Sequence, residues 1–265
     1  MNRTTCASAL LLLVLGAGAG PAAEPEPRLR LLVPAYFYPA GEGLKHWARL
    51  EAAAARVPVL AVVNPASGPG DKADANYTRL LDRAAKRPGL TLLGYVSTRY
   101  GKRPAAEVKA DVVRWLRLYP QVRGIFFDEQ ASGAERAGYY ADLYAHARKA
   151  RRLRLVVTNP GTACAEAYLA RPATDVACLF EGAVGFGEWA PPAWAGKHGA
   201  GRVAALAYKV GDAGLMRKYV AGAARKGVGL VYVTDAAGAN PWDRLPAYWD
   251  EEVAAARQVN RRKRR

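Results

Sequence analysis

Eight short apolar runs recur along the chain, with stretches of helical spacing between them. The runs cover residues 31–38, 58–64, 90–97, 122–128, 153–159, 175–181, 203–208 and 228–234. Each is rich in Val, Leu, Ile or aromatics and short enough to be a strand buried on both faces. Between them, residues 44–56, 75–86, 105–119, 134–151 and 214–226 carry Ala, Arg, Lys, Glu and Leu at helical spacing, and 247–258 reads as a closing helix. Strand then helix, eight times over, predicts an α/β chain folded as a single (β/α)8 TIM barrel across residues 31–258. A doubly wound open sheet is the competitor. It would carry a Gly-rich phosphate turn after its first strand, and none follows residue 38. Gly182, Gly185 and Gly187 cluster after the sixth run, without the fingerprint spacing of a nucleotide site.

A barrel enzyme builds its site at the C-terminal ends of its strands, and polar residues gather there in this sequence. The first run ends in Tyr36 and Tyr38, the second in Asn64, the third in Tyr95, Ser97 and Tyr100. The fourth ends in Asp128-Glu129, the fifth in Asn159, the sixth in Glu181. The last two end in Tyr208 and Tyr232. The beginnings of the runs are plainer.

Carboxylates at the end of an apolar strand are unfavourable unless they face a site or a partner. Alternation puts Gly124, Phe126 and Asp128 on one face of the fourth strand, and Glu129 on the other. Asp128 is the inward member, and Glu129 depends on the loop turning back. Glu181 ends a strand two places round the barrel, so it and Asp128 can flank one bond. Such a pair equips a glycoside hydrolase, with one group as nucleophile or base and the other as acid. We assign Asp128 as nucleophile, Glu181 as acid/base with a raised pKa, and Glu129 as an orienting group that could exchange roles with Glu181. Tyr36, Tyr38, Tyr95, Tyr208 and Tyr232, with Asn64, Ser97 and Asn159, are the candidate substrate contacts, since flat rings with a polar tip suit sugar faces. No metal and no cofactor is expected. His46, His146 and His198 lie outside any HExxH or GxSxG context.

The chain ends carry further signals. Arg3, an apolar stretch at residues 7–19 and the small residues after it read as a signal peptide over 1–23, hence a secreted or periplasmic protein with no transmembrane span after cleavage. Residues 24–30 read as a disordered linker and 259–265 as a basic tail. The formal net charge of +16 and that tail favour an anionic surface. No zinc-knuckle, helix-turn-helix or RNP signature points to specific nucleic acid. A monomer is expected. Cys164 and Cys178 are either two buried thiols or a bridge, and regular alternation from Glu181 places Cys178 outside the barrel.

The motifs VPAYFYP at 33–39, NPASGPG at 64–70, DANY at 74–77, GYVSTRYG at 94–101, GIFFDE at 124–129, NPGT at 159–162 and FE at 180–181 resemble the spherulin-4-like family, glycoside hydrolase family 135. The resemblance runs from about residue 31 to the last helix. It implies a secreted (β/α)8 enzyme that cleaves an N-acetylgalactosamine-containing polysaccharide in endo fashion at α-linkages. It also implies that Asp128, Glu129 and Glu181 are the essential carboxylates, and it favours retention. A cationic, deacetylated polymer would be repelled by the net charge at long range, so a neutral or acidic glycan fits better. Two other readings are a non-catalytic glycan-binding barrel at the cell surface and a hydrolase using a cation held at Asp128 and Glu129.

Overall fold

The computed structural model describes residues 28–262. The expected signal peptide, most of the linker and the last three tail residues lie outside them. Eight parallel strands close in sequence order: β1 (Arg30–Ala35), β2 (Val59–Val63), β3 (Leu90–Ser97), β4 (Gly124–Asp128), β5 (Leu155–Thr158), β6 (Val176–Gly182), β7 (Val203–Ala207) and β8 (Leu230–Val233). The helices are α1 (Glu42–Ala54), α2 (Ala75–Ala84), α3 (Ala105–Leu118), α4 (Ala137–Lys149), the single-turn α5 (Ala167–Ala170), α6 (Ala213–Arg225) and α7 (Trp249–Arg262). This is the expected (β/α)8 barrel. Between β6 and β7 the helix is replaced by two 3-10 turns, Ala193–His198 and Ala200–Arg202. No helix among the described residues is long and apolar enough to cross a membrane.

The strands form because their residues can be buried on both sides. Every residue of β2, β7 and β8 is buried. Two glycines permit close approach. A Cβ on Gly94 would lie 2.6 Å from the Trp115 ring, so α3 packs flush against β3 there. A Cβ on Gly124 would lie 2.4 Å from the Leu155 carbonyl and 2.6 Å from Leu93 inside the barrel. Helix starts are fixed by carboxylates: Asp74 accepts from the Asn76 and Tyr77 amides at α2, and Asp212 from the Leu215 amide at α6.

Strand β1 begins at Arg30, and Leu29 before it is already fixed. The Leu29 amide donates to Asn260 Oδ1 at 2.7 Å, and Asn260 Nδ2 donates to the Leu29 carbonyl at 2.9 Å. The linker therefore ends earlier than expected, and the start of the basic tail belongs to α7.

One strand departs from regular geometry. In β6, Cys178 pairs with Ala204 and Phe180 with the next residue, Ala205, so Leu179 is an extra residue in a bulge. The bulge reverses the expected facing of Cys178. Its thiol is completely buried, close enough to Glu181 and Asp128 for their charge to add to the effect of burial and raise its pKa. Both Cys164 and Cys178 are free thiols.

Candidate active site

Among the described residues, five non-glycine ones hold positive φ: Ser67, Arg99, Tyr100, Glu129 and Lys209. All lie in loops that leave the C-terminal ends of strands. Strained backbone of this kind persists where the surroundings over-determine it, and it clusters at functional sites. Glu129, at φ 54°, is the turning-back that strand alternation required. The turn is clamped from below. Thr98 Oγ1 donates to the carbonyls of Asp128 and Glu129 at 2.9 and 2.8 Å, and lies 2.7 Å from the Tyr140 hydroxyl. The Tyr100 amide donates to the Glu129 carbonyl at 2.6 Å.

The carboxylates meet over the barrel mouth. Asp128 is level with Ser97 across the β3–β4 ladder. Asn159 extends the β4–β5 pairing by donating its amide to the Phe127 carbonyl at 2.9 Å. Its side chain then spans two carboxylates: Nδ2 donates to Asp128 Oδ1 at 2.8 Å and to Glu181 Oε2 at 2.5 Å. The opposite end of that amide, Oδ1, accepts from the Gly161 amide at 3.0 Å, which fixes the direction of the side chain. The Ser97 hydroxyl donates to Glu129 Oε2.

Burial pushes the pKa of both Asp128 and Glu181 up. The two differ in what opposes it. Asp128 accepts hydrogen bonds from Asn159, from the Glu129 backbone and from the Tyr95 phenol, all of which favour its charged form. Glu181 has only the Asn159 bond, and the Asp128 charge adds to its rise. The Glu129 charge raises Asp128 in turn, so the contrast between the two lies in their hydrogen bonds, three favouring the Asp128 anion and one the Glu181 anion. Tyr36 and Tyr95 are raised too, by burial first and by the Asp128 charge second.

The cluster opens into a cavity of about 280 Å³ walled by the three carboxylates, Asn159, Tyr100 and Tyr208. A larger one of about 660 Å³ adjoins it beneath the loop after β2, bounded by Tyr95, Ser97, Arg99, Arg103 and Glu129. Glu129 lines both. Arg103 steadies the dividing wall, donating to the Ser97 carbonyl at 2.7 Å and to Asp111 at 2.8 Å.

The structure thus gathers Asp128, Glu129, Glu181, Tyr95, Ser97, Asn159 and Tyr208, with Tyr36 edge-on to Tyr95 at 5.7 Å. Three other candidates sit elsewhere. Tyr38 is bonded to Asp74 at 2.9 Å, at the start of α2. Asn64 Oδ1 accepts from the Gly68 amide at 2.8 Å and shapes its own loop. Tyr232 is completely buried against Trp242 and Trp249 and has no surface to offer a ligand. Arg103 and Tyr140 were not singled out from the sequence; they come from loop and helix positions that no strand-end pattern marks. Among the described residues, no group of three or more His, Cys, Asp or Glu side chains is arranged to hold a metal ion.

The family model of spherulation-specific family 4 matches residues 30–256. Spherulin-4 of Physarum polycephalum is 31% identical over 246 residues, covering 88% of this chain and 71% of that protein. Among solved structures, Aspergillus clavatus Sph3 in complex with GalNAc superposes with a TM-score of 0.75 at 28% identity, covering 87% of this chain and 98% of Sph3. The GH99 endo-alpha-mannosidase from Bacteroides thetaiotaomicron shares the fold, with a TM-score of 0.53 at 15% identity over 87% of this chain and 82% of that one.

Proposed function

The chain belongs to spherulation-specific family 4, and on that premise we propose that it is an exported glycoside hydrolase acting on an amino-sugar polysaccharide of the N-acetylgalactosamine type. The observation that carries this reading is the single Asn159 amide bonded to both Asp128 and Glu181. Two oxygens that share one donor, at 2.8 and 2.5 Å, lie no farther apart than those two lengths laid end to end. An oxygen of each carboxyl is thus held beside the same donor, a closeness that supports the retaining arrangement, in which the two carboxyls stand about 5–5.5 Å apart. The GalNAc-bound relative supports the sugar class.

In this mechanism the Asp128 carboxylate attacks the anomeric carbon while the Glu181 carboxylic acid protonates the departing glycosidic oxygen. The C–O bond to the leaving chain breaks as an ester to Asp128 forms. Glu181, now a carboxylate, takes a proton from water, the water oxygen displaces Asp128, and the anomeric configuration is restored. Tyr95 and Asn159 hold Asp128 in its anionic form. Glu129, fixed by Ser97, borders the path into the larger cavity. Two adjoining cavities suit a chain bound on both sides of the cleaved bond, hence endo action. NMR of the first-formed product from an N-acetylgalactosamine polymer tests the reading. The expected product keeps the anomeric configuration of the substrate, and an inverted one would overturn the assignment of Asp128 as nucleophile.

A further inference from the structure

The turns that enter the eight parallel strands gather at the end of the barrel opposite the mouth. Four or five residues separate each of α1, α2, α3, α4, α5 and α6 from the strand that follows next in the barrel wall. Six of the eight strands are thus entered by short turns, and β7 is entered through the 3-10 turn Ala200–Arg202. Exposed cations stand on this end face: Arg56 before β2, Lys86 before β3, Arg123 before β4, Arg152 before β5, Arg171 before β6 and Arg225 at the end of α6. None of the six makes an ion pair among the described residues. Three acids at this end are engaged already: Glu51 by Arg83 and Arg87, Asp175 by the Tyr144 hydroxyl and Arg148, Asp82 by Gln121. Helix α7 returns to the same end and adds the exposed Arg257, Arg261 and Arg262. Lys263, Arg264 and Arg265 follow in the sequence.

We infer that this face docks the barrel on a bilayer of anionic phospholipid, leaving the carboxylate mouth turned away from the membrane. The inference stands apart from the proposed activity, since no residue of the mouth takes part. Three observations select lipid among polyanions. The short turns hold these charges close to the strand starts, which suits a plane of headgroups. Single-stranded nucleic acid is held in grooves with exposed aromatics on which bases stack, and the one aromatic in these six turns, Tyr119, is completely buried. Finally, the chain enters β1 at this end, through Arg28 and the Asn260-bound Leu29, and an apolar run at residues 7–19 precedes it. A chain not yet cleaved after that run turns the basic face to the same headgroups, and after cleavage the polybasic face alone remains to hold the barrel there.

The experiment is vesicle co-sedimentation of the chain lacking residues 1–23, on phosphatidylcholine with and without phosphatidylglycerol. Binding is expected only to the anionic vesicles, weakening as salt is raised. The triple variant Arg56→Glu, Arg123→Glu, Arg152→Glu should bind on the order of a hundredfold more weakly. The triple variant Lys72→Glu, Lys102→Glu, Lys209→Glu makes the same change in net charge at the mouth end, and should bind as the parent does. Thermal melting of both variants checks that each is folded. Equal binding to neutral vesicles, equal loss in the two triple variants, or tighter binding to RNA or heparin than to anionic vesicles would each overturn the inference.

Discussion

The two ends of this barrel solve opposite problems. At the turn-rich end, backbone runs from helix to strand in four or five residues, and nearly every charge is exposed or paired. At the mouth, five non-glycine residues hold left-handed backbone and two carboxylates are buried without a cation beside them. One end is built from relaxed geometry; the other concentrates strain and desolvated charge. The difference teaches where stability is generated and where it is consumed. Changes at the mouth should alter activity and raise stability, whereas changes at the turn end should alter stability and leave activity alone.

The sharpest test is Asp128→Asn. If Asp128 is the nucleophile, turnover should fall at least about a thousandfold on any confirmed substrate, with the fold intact by circular dichroism. Glu181→Gln should fall comparably on substrates with poor leaving groups. If either variant keeps near-parent activity, the mouth is not organised around that carboxylate.

Asn159→Ala is next in size, with turnover expected about a hundredfold down. Its amide lowers the pKa of both Asp128 and Glu181, so removing it lets both rise further. The acidic limb of the pH profile of kcat/KM should move to higher pH, because Asp128 then needs a higher pH to ionise. An unmoved limb would mean that the amide is only a spacer.

Stability should move the other way. A buried carboxyl with a raised pKa binds its proton more tightly in the folded state. Stability is therefore lost as pH rises from the unfolded pKa through the folded one. Asp128→Asn and Glu181→Gln remove that loss and should each stabilise the barrel by about 1 kcal/mol near neutral pH. The gain should fade in acid, where the parent carboxyls are protonated in both states. Denaturant melts at two pH values read it directly.

The smallest effect is set at the opposite end. Asn260→Ala removes both hydrogen bonds to Leu29 and should cost about 0.5–1 kcal/mol in the same melts, with kcat unchanged. A loss of activity there would break the division between the two ends.

Much of this was legible in the sequence, for a physical reason. Strands buried on both sides are unbroken apolar runs, so a gain of polarity at one end of each run marks the mouth. That signal singled out Asp128, Glu129, Asn159 and Glu181, which the fold gathers at one cavity. The same double burial hides facing: where both sides of a strand are apolar, no alternation tells inside from outside. Cys178 was misplaced for this reason, since the bulge at Leu179 shifts parity and nothing in VACLFEG announces it. Tyr232 sits at a strand end like the others, but Trp242 and Trp249 fold back over it from farther along the chain. Tyr38 and Asn64 were drawn away by their neighbours, into the start of α2 and the turn after β2. Contacts made across tens of residues decide such cases, and strand-end position alone does not contain them.

The bonds between Leu29 and Asn260 join positions 231 apart in sequence. Such a contact is among the last a growing or translocating chain can make, because almost the whole polypeptide must emerge before its partner exists. The β1–β8 seam, short at two paired positions, depends on the same late arrival. A chain made from its beginning thus cannot close its sheet into a barrel until its last helix is free to fold.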